Sequence, residues 1–197
     1  VLLHGYGADE ADLFGLVPYL PPEFVVAAVR APLTPPWPAP GFSWYPIEGL
    51  EQRDPGRVTE AAARFTEWVD AATDAPEVGL LGFSQGGAVA LQALRLHPER
   101  FAFVANLSGY VTPGALPHDA ELAERRPPVF WGRGSHDDVI PHALVEHSAQ
   151  WLPEHVELSG RVYPGLTHRV SEQELADVRI FLEKQGEDAA AEPPPGG

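Results

Sequence analysis

Short runs of apolar, β-favouring residues recur along the chain at positions 1–4, 24–29, 78–83, 101–107, 129–131 and 156–163. Between them lie stretches with helical spacing. Val58, Ala62, Phe65, Val69 and Ala72 return every three or four positions, and Leu144, Ser148, Trp151 and Leu152 sketch a second, weaker stripe. Strands alternating with helices predict an α/β architecture, a mostly parallel sheet with both stripes packed against it. The last helix has a readable start: Ser171 can cap it while Glu174 reaches back as a capping box, and Leu175, Val178 and Leu182 supply its apolar face as far as Lys184.

Two stretches break the alternation. From Gly186 onward the chain has no apolar period, so no burial offsets its ordering entropy, and a domain over 1–185 followed by a flexible tail over 186–197 is expected. Positions 31–55 are proline-rich and without a period, yet carry Leu33, Trp37, Phe42, Trp44, Tyr45 and Ile47. An apolar loop of that length is expected to wall a site or to cover the core.

Composition narrows the choices. A length of 197 residues with 44% hydrophobic positions supports one core, and a formal charge of -15 with only 13 basic residues disfavours a nucleic-acid partner. The absence of cysteine removes disulfides, thiolate metal sites and a thiol nucleophile together. No apolar run reaches the length of a membrane span, and no leader opens the sequence, so a cytoplasmic location is expected. The chain begins at Val1 and contains no methionine, which predicts that its natural start lies upstream.

Chemistry concentrates in three segments. Gly82-Phe83-Ser84-Gln85-Gly86-Gly87 follows an apolar strand and precedes the helix-like stretch 88–96, the strand, sharp turn and helix from which a nucleophilic serine projects. A chance G-x-S-x-G string arises in roughly 0.07 of chains of this length. Its position at a strand-to-helix junction makes the serine reading the stronger one. A serine hydroxyl needs a histidine to take its proton and a carboxylate to hold that histidine. Of eight histidines, His168 lies just past the last strand and before the capped helix, on the Ser84 side of a parallel sheet. The carboxylate candidates are Asp137 and Asp138, again just after a strand, and position alone leaves both open. One of them is expected to hydrogen-bond its own backbone while the other orients His168. The order serine, aspartate, histidine disfavours the two main serine protease architectures. His4-Gly5-Tyr6-Gly7 after the first strand offers a glycine-loosened turn whose backbone N–H can face Ser84, with Gln85 N–H as the partner donor.

Taken together, His4-Gly5-Tyr6-Gly7-Ala8-Asp9-Glu10, Arg30-Ala31-Pro32, Ser43-Trp44-Tyr45, the Gly82 to Gly87 elbow, the Asp137 to Pro141 segment and Tyr163-Pro164-Gly165 with His168 resemble the phospholipase/carboxylesterase family of α/β-hydrolases, which includes acyl-protein thioesterases and bacterial carboxylesterases. The resemblance runs over nearly 1–182. It implies an α/β-hydrolase fold with helices on both faces of the sheet and no large lid domain. It implies a Ser84, Asp137, His168 triad, with Asp137 preferred because it stands four residues before Pro141. It also implies an oxyanion hole of Tyr6 and Gln85 N–H, and a substrate groove at Trp44, Leu33, Phe42, Val139 and Leu166. The expected function is a serine carboxylic-ester hydrolase or acyl thioesterase acting on a small-molecule ester or thioester, with no metal or organic cofactor, and a homodimer is admitted. An acyltransferase or lysophospholipase-like enzyme, and a non-catalytic binder on the same fold, are the alternatives.

Overall fold

A computed structural model describes residues 1–47 and 53–191, with side chains to position 187. Six strands form one sheet: β1 (Leu2–Leu3), β2 (Ala28–Val29), β3 (Gly79–Phe83), β4 (Phe103–Leu107), β5 (Pro128–Gly134) and β6 (Glu157–Tyr163). Every pairing is parallel and the spatial order is β2-β1-β3-β4-β5-β6. The helices are α1 (Glu10–Phe14), α2 (Pro55–Ala72), α3 (Gln85–Leu96), α4 (Asp119–Arg125), α5 (His142–His155) and α6 (Glu172–Ala191). The expected α/β fold, a parallel sheet with helices on both faces, is the fold observed. Among the described residues no helix is long and apolar enough to cross a membrane.

Alternation along the strands builds two cores. Leu80, Val104, Val129 and Trp131 face one side, where Val58, Phe65 and Val69 of α2, Val89 and Leu94 of α3, Leu122 of α4 and Leu152 of α5 close over them. Leu81, Phe103, Ala105 and Phe130 face the other, against Leu13 of α1 and Val178, Phe181 and Leu182 of α6. A parallel strand buried on both faces reads as a continuous apolar run, which is why these strands were legible without a polar-apolar period.

Three elements differ from their sequence expectation. The run 24–29 pairs only over Ala28–Val29, because its neighbour β1 offers two residues and Val25 is almost fully exposed. Glu174 meets the capping-box expectation in part: its backbone N–H donates to Ser171 Oγ at 3.1 Å, but its carboxyl turns inward, is buried and makes only a weak contact with the Ser171 N–H. Helix α6 runs on to Ala191 rather than stopping near Lys184. Gln185 is buried there and donates to the Phe181 carbonyl, and Gly186 lies close to Glu23 and Phe24, so burial continues past the end of the apolar stripe. The rest of the expected tail, 192–197, lies outside the described residues.

Strand order fixes where a site can form. From β1 the chain crosses to β2 on one side and then to β3 on the other, so the carboxyl ends of β1 and β3 flank the crevice at which parallel sheets hold ligands.

Candidate active site

Ser84 stands at the carboxyl end of β3 with φ 53° and ψ -115°, a conformation costing about 1–3 kcal/mol for a non-glycine residue. The surrounding backbone imposes it. A Cβ at Gly82 would sit 2.5 Å from the Gly86 carbonyl, and one at Gly86 would collide with the Leu3 and His4 carbonyls, so strand and helix pass at a distance only glycine permits. Ser84 N–H donates to the Leu107 carbonyl at 2.8 Å, tying the turn to β4. The hydroxyl projects from this turn toward His168.

His168 comes from the loop between β6 and α6. Its Nε2 lies 2.8 Å from Ser84 Oγ and its Nδ1 lies 2.7 Å from Asp137 Oδ2. The Phe83 ring packs against the imidazole at 5.0 Å between centres, which limits its rotation. Asp137 follows β5. Burial pushes its carboxyl up, but the His168 hydrogen bond and charge and the N–H groups of Val139 and Ile140 outweigh that and hold it below the ordinary value. The expected division of labour between adjacent aspartates is therefore corrected. Asp137 both orients His168 through Oδ2 and accepts its own turn's N–H groups through Oδ1, at 3.0 and 3.3 Å, while Asp138 is exposed. A carboxylate has lone pairs enough for both tasks.

The turn after β1 lies against this group. A Cβ at Gly5 would be 3.6 Å from Ser84 Cβ, which puts the Tyr6 peptide beside the serine. Among the described residues no backbone acceptor takes the Tyr6 N–H. The Gln85 N–H is the first of α3 and has no partner within the helix. Two free N–H groups flanking a serine at a helix N-terminus can hold a developing oxyanion.

Beneath the turn lies a support of which sequence reading finds only His4, beside the turn that it braces. The Gln85 side chain accepts the Trp44 N–H at 2.8 Å and donates to the Tyr45 carbonyl at 2.7 Å, clamping 43–45 to the elbow. Buried His4 accepts the Ala31 N–H on Nε2 at 3.1 Å, which places its proton on Nδ1, 2.7 Å from the Gly5 carbonyl. Trp44 is part of this frame. Its indole N–H donates to the His4 carbonyl at 2.9 Å and its ring packs edge-on to Phe65 within the core. The expectation that Trp44 lines a groove is corrected, because a buried indole needs an acceptor for its N–H and finds one below the site. Leu166 is likewise buried, while Leu33 and Phe42 are half-buried residues of antiparallel bridges to Ser43 and Ala8. Of the five groove residues expected, only Val139, beside Asp137, is an exposed apolar side chain.

The model for phospholipase/carboxylesterases matches residues 1–185. The chain belongs to that family. Within it, a probable carboxylesterase of Oryza sativa subsp. japonica is 28% identical over 98% of this chain and 90% of its own length. The acyl-protein thioesterase 1 of Saccharomyces cerevisiae is 32% identical, but over 52% of this chain and 47% of its own length. Thus the chain spans about half of that relative. The Bacillus cereus carboxylesterase superimposes with a TM-score of 0.79 over 93% of this chain and 86% of its own, at 18% identity. Arabidopsis thaliana SOBER1 gives 0.73 over 93% and 96%, at 23% identity. These two superpositions show a shared α/β-hydrolase fold.

Proposed function

We propose that this protein hydrolyses carboxylic esters or thioesters through an acyl-enzyme on Ser84, with His168 as base and Asp137 holding the base in register. The observation that carries this reading is the unbroken chain from Ser84 Oγ to His168 Nε2 at 2.8 Å and from His168 Nδ1 to Asp137 Oδ2 at 2.7 Å. Membership of the phospholipase/carboxylesterase family supports the same class.

As the hydroxyl proton passes to His168 Nε2, Ser84 Oγ bonds to the acyl carbon and the carbonyl pair moves onto oxygen, between the Tyr6 and Gln85 N–H groups. Collapse breaks the ester C–O or thioester C–S bond, and the leaving alcohol or thiol takes the proton from Nε2. Water then gives a proton to Nε2 as its oxygen attacks the acyl carbon. The Ser84 ester bond breaks, Oγ recovers the proton, and the acid departs. Each proton has a named carrier, so the steps call for no metal or organic group.

Intact-mass labelling with a fluorophosphonate, beside hydrolysis of p-nitrophenyl esters of increasing chain length, tests the reading. One adduct per chain and turnover that both vanish in Ser84→Ala are expected. A folded protein that neither labels nor turns over would overturn hydrolysis and favour a ligand-binding role for the same crevice.

A further inference from the structure

Beside the triad, but walled by neither Ser84 nor His168, is a cavity of about 170 Å³. Ser108, Arg133, Ser135, Asp137, His142 and Val145 are among its walls. The register of the sheet gives its position. Phe83 pairs with Leu107 and Leu107 with Gly132, so Ser84, Ser108 and Arg133 succeed one another across the carboxyl ends of β3, β4 and β5. Strands about 4.8 Å apart put Arg133 roughly 10 Å from the nucleophile at the backbone.

Three features of the wall are unsatisfied donors. Ser108 is 2% exposed and its Oγ has no partner. The Arg133 guanidinium lies over the Trp131 ring at 5.5 Å; its Nε is buried without a partner, and no carboxylate of the described residues forms an ion pair with it. Helix α5, 14 residues long, begins at His142 on this wall with no side-chain cap and no acidic residue in its first turn. A helix start left this way favours a nearby anion. The one carboxylate on the wall, Asp137, has both oxygens engaged by His168, Val139 and Ile140. A hydroxyl donor, a guanidinium and a positive helix end border a space too small for a long alkyl chain, and they match the acceptors of a carboxylate or phosphate.

We infer that this cavity is an anion subsite, and that the substrates are esters whose acyl part ends in a carboxylate a few carbons from the scissile carbonyl. The inference rests on the hydrolase reading of Ser84 and names its substrate class. Arg133 and Ser108 are then binding residues for the distal carboxylate.

The test compares the mono-p-nitrophenyl ester of adipic acid with p-nitrophenyl hexanoate, which has the same chain without the charge. The wild-type protein should favour the half-ester in kcat/KM. The ratio of the two values should fall about tenfold in Arg133→Leu and recover in part in Arg133→Lys, as expected for one charge-assisted bond. A ratio unchanged within about twofold in Arg133→Leu, or a wild-type preference for hexanoate, overturns the subsite. Calorimetric titration of the same proteins with adipate, hexanoate and inorganic phosphate reads the site without turnover. Adipate binding that weakens in Arg133→Leu supports the subsite even if neither ester is cleaved, in which case only the hydrolase reading fails. Phosphate binding in place of adipate keeps the anion site and overturns the carboxylate. Equal binding of adipate and hexanoate overturns both.

Discussion

At the scale of single residues, two carboxyl groups near the site are driven in opposite directions. Asp137 is held ionised by three groups around it, His168 and the N–H groups of Val139 and Ile140, and its replacement by asparagine keeps an acceptor for the turn but presents an amide N–H or a poorer acceptor to His168. The expected result is a fall in kcat of about 10³–10⁴-fold, since the imidazole loses its tautomer and the charge that balances imidazolium. Steady-state rates of Asp137→Asn beside Asp138→Asn check it: the exposed Asp138 should tolerate the change within about twofold. Glu174 is the reverse case. Burial raises its carboxyl to about 7, against which the Ser171 backbone contact is too weak, and both oxygens lack hydrogen-bond partners. A folded value above the unfolded 4.5 means the native state binds the extra proton. That stability is complete below the unfolded value and is lost as pH rises through about 7. The shift corresponds to roughly 3 kcal/mol. Glu174→Gln should remove the loss. Denaturant midpoints at about pH 5 and pH 8 should diverge for the wild type and converge for the variant. A wild type equally stable at both would show that Glu174 stays neutral or finds water.

Helices and strands were legible where burial is two-sided or the amphipathic period is long, and less so where one polar side chain decides the outcome. Helix α2 follows its stripe at Val58, Ala62, Phe65 and Val69, with Asp54 as cap and Pro55 in its first turn, although Ala72 is exposed. Ser84, His168 and the pair Asp137 and Asp138 could be picked from sequence because each follows a parallel strand and all such ends share one edge of the sheet, whereas Asp137 was preferred to Asp138 only through the family resemblance. The support from Trp44 and the Gln85 side chain, and the unpartnered Ser108 and Arg133, could not, because they depend on partners 40 or 41 positions away or on having none. Arg95 was hidden for the same reason. It is 1% exposed, pairs with Asp119 at the start of α4, donates to the Thr112 and Gly114 carbonyls, and lies over the Trp151 ring. Arg95→Leu should cost about 3 kcal/mol, because it strands the buried Thr112 carbonyl and the half-buried Asp119 carboxylate. Burial raises the Asp119 carboxyl, but Arg95 and the Leu116 N–H prevail and hold it below 3.8. This stability is therefore present above 3.8 and lost as pH falls through the lower folded value. A urea titration near neutrality measures the loss in the variant, and a midpoint within about 1 kcal/mol of wild type would assign the pair to the solvated surface.

For the molecule as a whole, charge and cavity size point away from the features that first draw notice. The larger cavity, about 770 Å³, is lined by Val1, Phe24, Val25 and Gly79 at the amino end of the sheet, opposite the edge that carries Ser84. The candidate site lies at the other end, where Ser84, His168 and Asp137 meet at the carboxyl ends of the strands beside the N-terminus of α3. The same molecule carries 28 acidic and 13 basic residues, so most of its carboxylates have no basic residue to pair with. Exposed ion pairs such as Arg179–Glu183 are worth at most about 1 kcal/mol each and weaken with salt. Repulsion among the unpaired carboxylates also weakens with salt and acts in the other direction, at ranges beyond contact. With a formal charge of -15, repulsion outweighs the pairs. Raising ionic strength from about 0.01 M to 0.15 M shortens the screening length from about 30 to 8 Å, less than the width of the domain. Thermal unfolding at pH near 7 should accordingly move upward by a few degrees over that range, about 2–4 °C for each kcal/mol of repulsion removed. Chloride and fluoride should act alike, because the effect is screening rather than occupancy of the Arg133 cavity. A midpoint that falls with salt would mean that the ion pairs, not the excess carboxylates, dominate the surface field.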